Sequence, residues 1–361
     1  MLEKGKISPR QFSILVTFFT VGGSILFVPT LTFYAKQDAW IAYLLGAGIG
    51  LLFVLLNNTL GSIFPNMTIA EYSEVILGKW LGKIVSLLYF IYFFIICVHF
   101  LRQMGNFLTT HILNETPIVT IHIIFFIVVI MGVRLGLETL ARGSEIFLPW
   151  ITLLFFVFIV SLVPQMKFNH LQPLLENKLL YTVYLSIDSP YTQLVTFLMI
   201  FPYVNQIKKA EKSFYFGTLS GFIILFLILI VSILVLGADH SARQIYPSYS
   251  LAKKINVGNF IQRIEAVIMI IWLVTLYYKV TIIFYAATLC LGQILKLKDH
   301  RPLTFPLGMV IVVYSIVSYP NIISYSEFAN TTLGPLTITF GLILPLLLLV
   351  IGKYRFSWKH Q

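Results

Sequence analysis

Apolar stretches of roughly 20 residues, each closed by a few Lys, Arg, Pro, Gly or Asn residues, follow one another along the whole chain. In a bilayer such a stretch can satisfy its backbone polar groups only by becoming a helix. The runs cover residues 11–35, 40–64, 84–109, 118–136 and 145–163, then 186–205, 215–237, 260–291, 305–318 and 333–352. About ten spans therefore account for the 361 residues and leave no room for a soluble catalytic domain. The expectation is an all-α polytopic membrane protein, a single integral membrane domain over residues 1–361, whose function sits inside the bundle.

Charge agrees with this reading. Only 11% of the residues are charged, against roughly 25% in soluble domains. The net charge of +11 is spread over short clusters between the apolar runs, where Lys and Arg set topology, so no nucleic-acid partner is expected. The basic start (Lys4, Lys6, Arg10) leads into a run too long for a signal-peptide core, which is expected to stay as helix 1. When loops are assigned alternately to the two sides, 16 Lys and Arg fall on the side of the N-terminus and 8 on the other. That asymmetry places both termini in the cytoplasm. Five crossings are an odd number, so residues 11–163 and 186–352 would run in opposite orientations, as in inverted-repeat transporters. Cys97 and Cys290 lie inside apolar runs without partner spacing, which implies neither a disulfide nor a metal site. No nucleotide loop, zinc motif or nucleophile triad is present, so no cofactor and no enzymatic activity are expected.

The chemistry is expected where the helices are interrupted. Helix 1 carries Gly22-Gly23-Ser24 and then Pro29. Glycine lacks a Cβ and proline lacks an N–H, so the helix can unwind there and present backbone groups at mid-membrane depth. Close helix packing explains the same glycines equally well. Helix 6, the counterpart of helix 1 by repeat counting, contains Pro190 and Pro202, although Pro190 also suits a helix start. Lys279 lies inside helix 8, where a charge costs about 2.5–3.5 kcal/mol and should face the bundle interior or water. It suits a helix-bridging cation in place of a bound ion, or a lysine that snorkels to the interface. Tyr277, Thr281 and Tyr285 share one face of that helix, about 200° from Lys279. Thr281 and Tyr285 are thus expected at a ligand and Lys279 at a separate bridge. In helix 3, Tyr92 and Ile96 lie one turn apart; His99 reads as a bundle residue, Arg102 as an interfacial one. Glu138 and Arg142 have the spacing of an ordinary helix pair.

Several stretches, in order, resemble the B subunits of nutrient germinant receptors of endospore-forming bacteria, the spore-germination permeases. They are Ile7-Ser8-Pro9-Arg10-Gln11-Phe12, the Gly22-Gly23-Ser24 to Pro29 break, Lys36-Gln37-Asp38-Ala39-Trp40, and Phe64-Pro65-Asn66-Met67-Thr68. Leu77 to Lys83, Gly136 to Arg142, Phe201-Pro202-Tyr203-Val204 and Lys279 continue the pattern over nearly the whole chain. The resemblance implies the amino acid/polyamine/organocation transporter fold, with helices 1 and 6 broken. It implies a multi-pass inner-membrane protein of the cell or spore that senses a small nutrient beside A and C subunits. The pocket positions carried over are Gly22, Gly23, Ser24, Tyr92, Ile96, Leu194, Thr281 and Tyr285. A slip of register in helix 6 would bring Gln193 or Thr196 to the place of Leu194. A secondary amino-acid transporter driven by protons or sodium ions is the alternative function.

Overall fold

The structure, a computed structural model, describes residues 5–23, 26–176, 179–254 and 265–357. The chain enters through α1 (Pro9–Val21), whose start is fixed by a capping box. The Ser8 N–H donates to Gln11 Oε1 at 2.8 Å and the Gln11 N–H to Ser8 Oγ at 3.1 Å, with Pro9 in the first turn where no N–H is needed. α2 (Phe27–Ala35), α3 (Ala39–Ile63), the short α4 (Ile69–Leu77) and α5 (Lys79–His111) follow. The first half closes with α6 (Ile118–Leu135) and α7 (Leu137–Leu162), and the second opens with α8 (Leu179–Tyr191). Then come α9 (Ile207–Leu236), two short helices α10 (Ala238–Arg243) and α11 (Pro247–Lys254), and α12 (Glu265–Ile294). α13 (Thr304–Val317), α14 (Ile322–Thr331), α15 (Leu333–Ile338) and α16 (Leu344–Ser357) complete the described chain.

Among the described residues seven helices are long and apolar enough to cross a membrane, and an eighth if the pair bent by 101° before α14 is one span. Helices 1 and 6 are not counted as single spans because each is broken: α1 is too short to cross alone, α2 is counted only together with α3 as Phe27–Ile63, and α8 with the turns after it is also short. The expected broken helices are therefore present. Several boundaries differ from the expectation. Helices 3, 5 and 7 extend a turn or two further into their loops, so Glu138 and Arg142 sit in the first turns of α7, paired at 2.5 Å.

Helix 6 starts at Leu179 rather than Ser186, and Pro190 lies near the end of α8 instead of at its beginning. The lost N–H and the bulk of the ring stop the α-helical ladder there. Residues Thr192–Met199 continue as a 3-10 helix, longer than the three or four residues usual for that form, and every one of them is buried. A π-helical turn, Thr339–Ile343, packs against it, with Gly341 seated on the Thr192 carbonyl.

Small residues set the close approaches of the bundle. On α9, a Cβ on Gly217 would lie 2.5 Å from the Ser13 carbonyl, and one on Gly221 would lie 2.6 Å from Thr20 Cβ, so α1 can lie flat on α9. Thr17 Oγ1 bridges the pair by donating to the Gly217 carbonyl at 3.1 Å. The entry to α1 is also tied to the exit of helix 6. The Ile7 N–H donates to the Tyr203 carbonyl at 2.9 Å, and the Asn205 N–H to the Ile7 carbonyl at 2.8 Å. Two interrupted helices are thus fixed to each other at one end of the bundle.

Candidate ligand site

The break in helix 1 is made by two glycines with different tasks. A Cβ on Gly22 would lie 2.6 Å from the Thr275 carbonyl and 2.9 Å from Lys279 Cβ, so its bare backbone lets α12 close on the end of α1. Gly23 has φ +85°, a conformation that side chains disfavour, and the Phe100 ring of α5 occupies the space its Cβ would need. The Gly22 N–H still donates to the Phe18 carbonyl at 2.8 Å, while the Gly23 carbonyl turns away and accepts from Gln103 Nε2 at 3.3 Å. Ser24 lies outside the described residues. The helix resumes at Phe27 without a side-chain cap, and Pro29 falls in the first turn of α2, where its missing N–H costs nothing.

A cavity of about 300 Å³ opens at this break. Its walls are Gly22, Gly23 and α2 on one side, His99, Phe100 and Gln103 of α5 on another, and Lys279 of α12 and Tyr325 of α14 opposite. The ends of α8 and α10 reach it through Leu185, Pro190 and Arg243. Lys279 is only 1% exposed, and its Nζ lies 4.3 Å from the centre of the Phe100 ring and 4.9 Å from that of Phe19. Both ring faces attract a cation. The lysine therefore stays inside the bundle instead of snorkelling. The Tyr325 hydroxyl and His99 Nε2 lie 3.1 Å apart and their rings stack at 4.7 Å, which fastens α14 to α5 beside the cavity. His99 Nδ1 and Gln103 Oε1 are buried without a partner among the described residues.

Arg102 is enclosed by protein. It is 6% exposed and lies nine residues before the end of α5 at His111, so neighbouring helices cover it.

Of the residues singled out in the sequence, Gly22, Gly23 and Lys279 come together at the cavity. Tyr92, Ile96, Leu194, Thr281 and Tyr285 are buried elsewhere in the packed core and do not line it. Tyr92 stacks on Phe340 at 4.7 Å, and Leu194 lies in the 3-10 segment. Thr281 Oγ1 donates to the Tyr277 carbonyl at 2.6 Å, and its methyl group faces Gly132 of α6. Tyr285 meets His300 edge-on at 5.4 Å. Phe100, Gln103 and Tyr325 are lining residues that the sequence reading passed over. His99 and Gln103, one helical turn apart in an apolar run, were a legible signal, whereas nothing local marks Tyr325. Among the described residues no group of His, Cys, Asp or Glu could hold a metal ion.

Known proteins share both the fold and the sequence pattern. MhsT, solved in complex with L-phenylalanine, superposes with a TM-score of 0.68 at 13% identity, covering 96% of this chain and 99% of MhsT. A Na+-coupled sialic acid symporter in a substrate-bound outward-open state gives 0.61 at 12% identity, with 94% and 79% covered. At such identities the likeness establishes the fold alone. In sequence, spore germination protein KB of Bacillus subtilis is 31% identical over 98% of this chain and 96% of the relative. Spore germination protein YndE of the same organism is 25% identical, with 97% of each covered, and GerLB of Bacillus cereus is 22% identical, with 97% and 95% covered. The family model for spore germination proteins matches residues 6–323. With a transporter-type fold broken at helices 1 and 6, and a match that runs nearly end to end, this chain belongs to the spore germination protein family.

Proposed function

We propose that the chain is the ligand-sensing membrane subunit of a nutrient germinant receptor. A small nutrient, an amino acid by preference, enters the cavity at the helix 1 break and shifts the bundle between two arrangements that A and C subunits read. The observation that carries this reading is the cavity itself: unwound glycines, a buried lysine and aromatic walls at the helix 1 break of a transporter-type bundle. MhsT offers a parallel, since a protein of the same fold holds L-phenylalanine. Gly22, Gly23 and Lys279 are the first ligand residues in this proposal. Lys279 also bridges helices, because it reaches from α12 to Phe19 of α1 and Phe100 of α5. Ser24 keeps its place in the proposal through the sequence resemblance. Tyr92, Ile96, Leu194, Thr281 and Tyr285 would meet the nutrient only after the helices separate. The excess of Lys and Arg on the N-terminal side supports cytoplasmic termini in the inner membrane of the cell or spore. Paired breaks in helices 1 and 6 support inverted repeats over residues 11–163 and 186–352.

The likeness to a Na+-coupled symporter favours a second reading, coupled transport of an amino acid. Uptake by proteoliposomes holding this chain alone separates the two. Sensing predicts no accumulation there, together with nutrient-dependent germination of spores that carry this receptor as their only one. Concentrative uptake would overturn sensing in favour of transport.

A further inference from the structure

The cavity has a charge asymmetry that the sensing reading does not use. Lys279 contributes its ammonium to the wall while lying 1% exposed, and among the described residues it forms no ion pair. A cation taken out of water normally has an anionic partner, since its lost hydration is otherwise uncompensated. The ring faces of Phe100 and Phe19 recover part of that loss, and they cover the ammonium only from the side of α1 and α5. Toward the cavity the ammonium has no described carboxylate to meet. The described lining includes a second cation, Arg243, and no Asp or Glu. His99, whose Nε2 meets Tyr325, is neutral or cationic and supplies no negative charge either. The charged side chains described in the lining are thus both cationic, which favours anionic groups over cationic ones.

We infer that Lys279 is the anchor for a carboxylate on the ligand, so that the site selects small molecules bearing a free carboxylate over their amides, over cationic amines and over neutral sugars. This rests on the cavity being the sensing site, and it assigns to Lys279 the role of specificity determinant. The ammonium gains its missing partner when the carboxylate arrives, and the charge-assisted hydrogen bond forms in a place from which water is largely excluded. A carboxamide of the same shape brings a dipole in place of the charge and leaves the ammonium uncompensated.

The test uses spores carrying this receptor as their only one, exposed to free L-amino acids, each beside its carboxamide, and to neutral hexoses. The expected result is that any amino acid that triggers germination does so at a half-maximal concentration at least tenfold below that of its carboxamide. Lys279→Met should raise the requirement for the free acid at least tenfold and erase the difference between acid and amide, while Lys279→Arg should keep the preference. If Lys279→Met fails to accumulate, the wild-type comparison of acid with amide still decides. Equal responses to acid and amide, a response to hexoses alone, or retained discrimination in Lys279→Met would overturn the carboxylate anchor while leaving sensing intact. No response to any compound, with normal amounts of receptor, would overturn the sensing reading and the anchor with it.

Discussion

Helices 1 and 6 are both interrupted, but by different residues and with opposite results. Helix 1 is broken by Gly22 and Gly23, and its loose ends face a cavity of about 300 Å³. Helix 6 is broken after Pro190, which touches the wall of the same cavity, and the 3-10 turns that follow, Thr192–Met199, are all buried and do not line it. The difference comes from the neighbours. Beside helix 1, α5 and α12 meet the glycine backbone, and the cavity lies among them and α14. Beside helix 6, glycines on the facing elements close the gap: Gly50 sits under the Tyr191 ring, Gly61 against Phe201, and Gly341 on the Thr192 carbonyl. A break frees backbone polar groups, but it borders a cavity only where the surrounding helices leave room.

The largest effect should come from filling the helix 1 break. Gly22→Leu would force α12 away, and overpacking of this kind costs about 1–3 kcal/mol or more. Thermal melting of the purified protein should fall clearly, and nutrient response should be lost. Gly341→Val should destabilise to a similar or smaller degree, again about 1–3 kcal/mol, by pushing the π-helical turn off helix 6. The comparison between the breaks is sharpened by what survives: receptor that still folds should keep its half-maximal nutrient concentration. A shifted dose response in Gly341→Val would bring helix 6 into the site. Tyr325→Phe removes the hydroxyl that meets His99 at 3.1 Å, worth about 0.5–1.5 kcal/mol. It should raise the half-maximal concentration a few-fold by loosening α14 from the cavity wall. Thr281→Val should do least, because its hydroxyl serves Tyr277 of its own helix, through the carbonyl and the side chain. Germination curves that move as far as those of Gly22→Leu would place the ligand at α12's other face.

Much of the fold was legible because its cause is local. Apolar length alone gives the spans, and Gly22-Gly23 announces its break by composition. The limits of helix 6 were not legible, since Pro190 is compatible with a helix start and with a helix end, and only packing against Gly50 and Gly341 decides. Within the site, Lys279 stood out because a charge in an apolar helix must be explained. Which face of α12 looks at the break depends on how that helix rotates, and rotation is set by contacts from distant segments, here Gly22 against Thr275 and Lys279. The same limit hid Tyr325, which α14 brings to His99 from 226 residues away.

The cavity at the helix 1 break can be tested by cysteine protection. Cys97 and Cys290 are both buried, so the native protein offers a low background to a small thiol reagent. Gln103→Cys, in the cavity wall, should react, and the triggering nutrient should protect it at concentrations that match germination. Thr281→Cys, packed against α6, should stay unreactive with or without nutrient. Nutrient-protected labelling at Thr281→Cys, with Gln103→Cys indifferent to nutrient, would contradict the account.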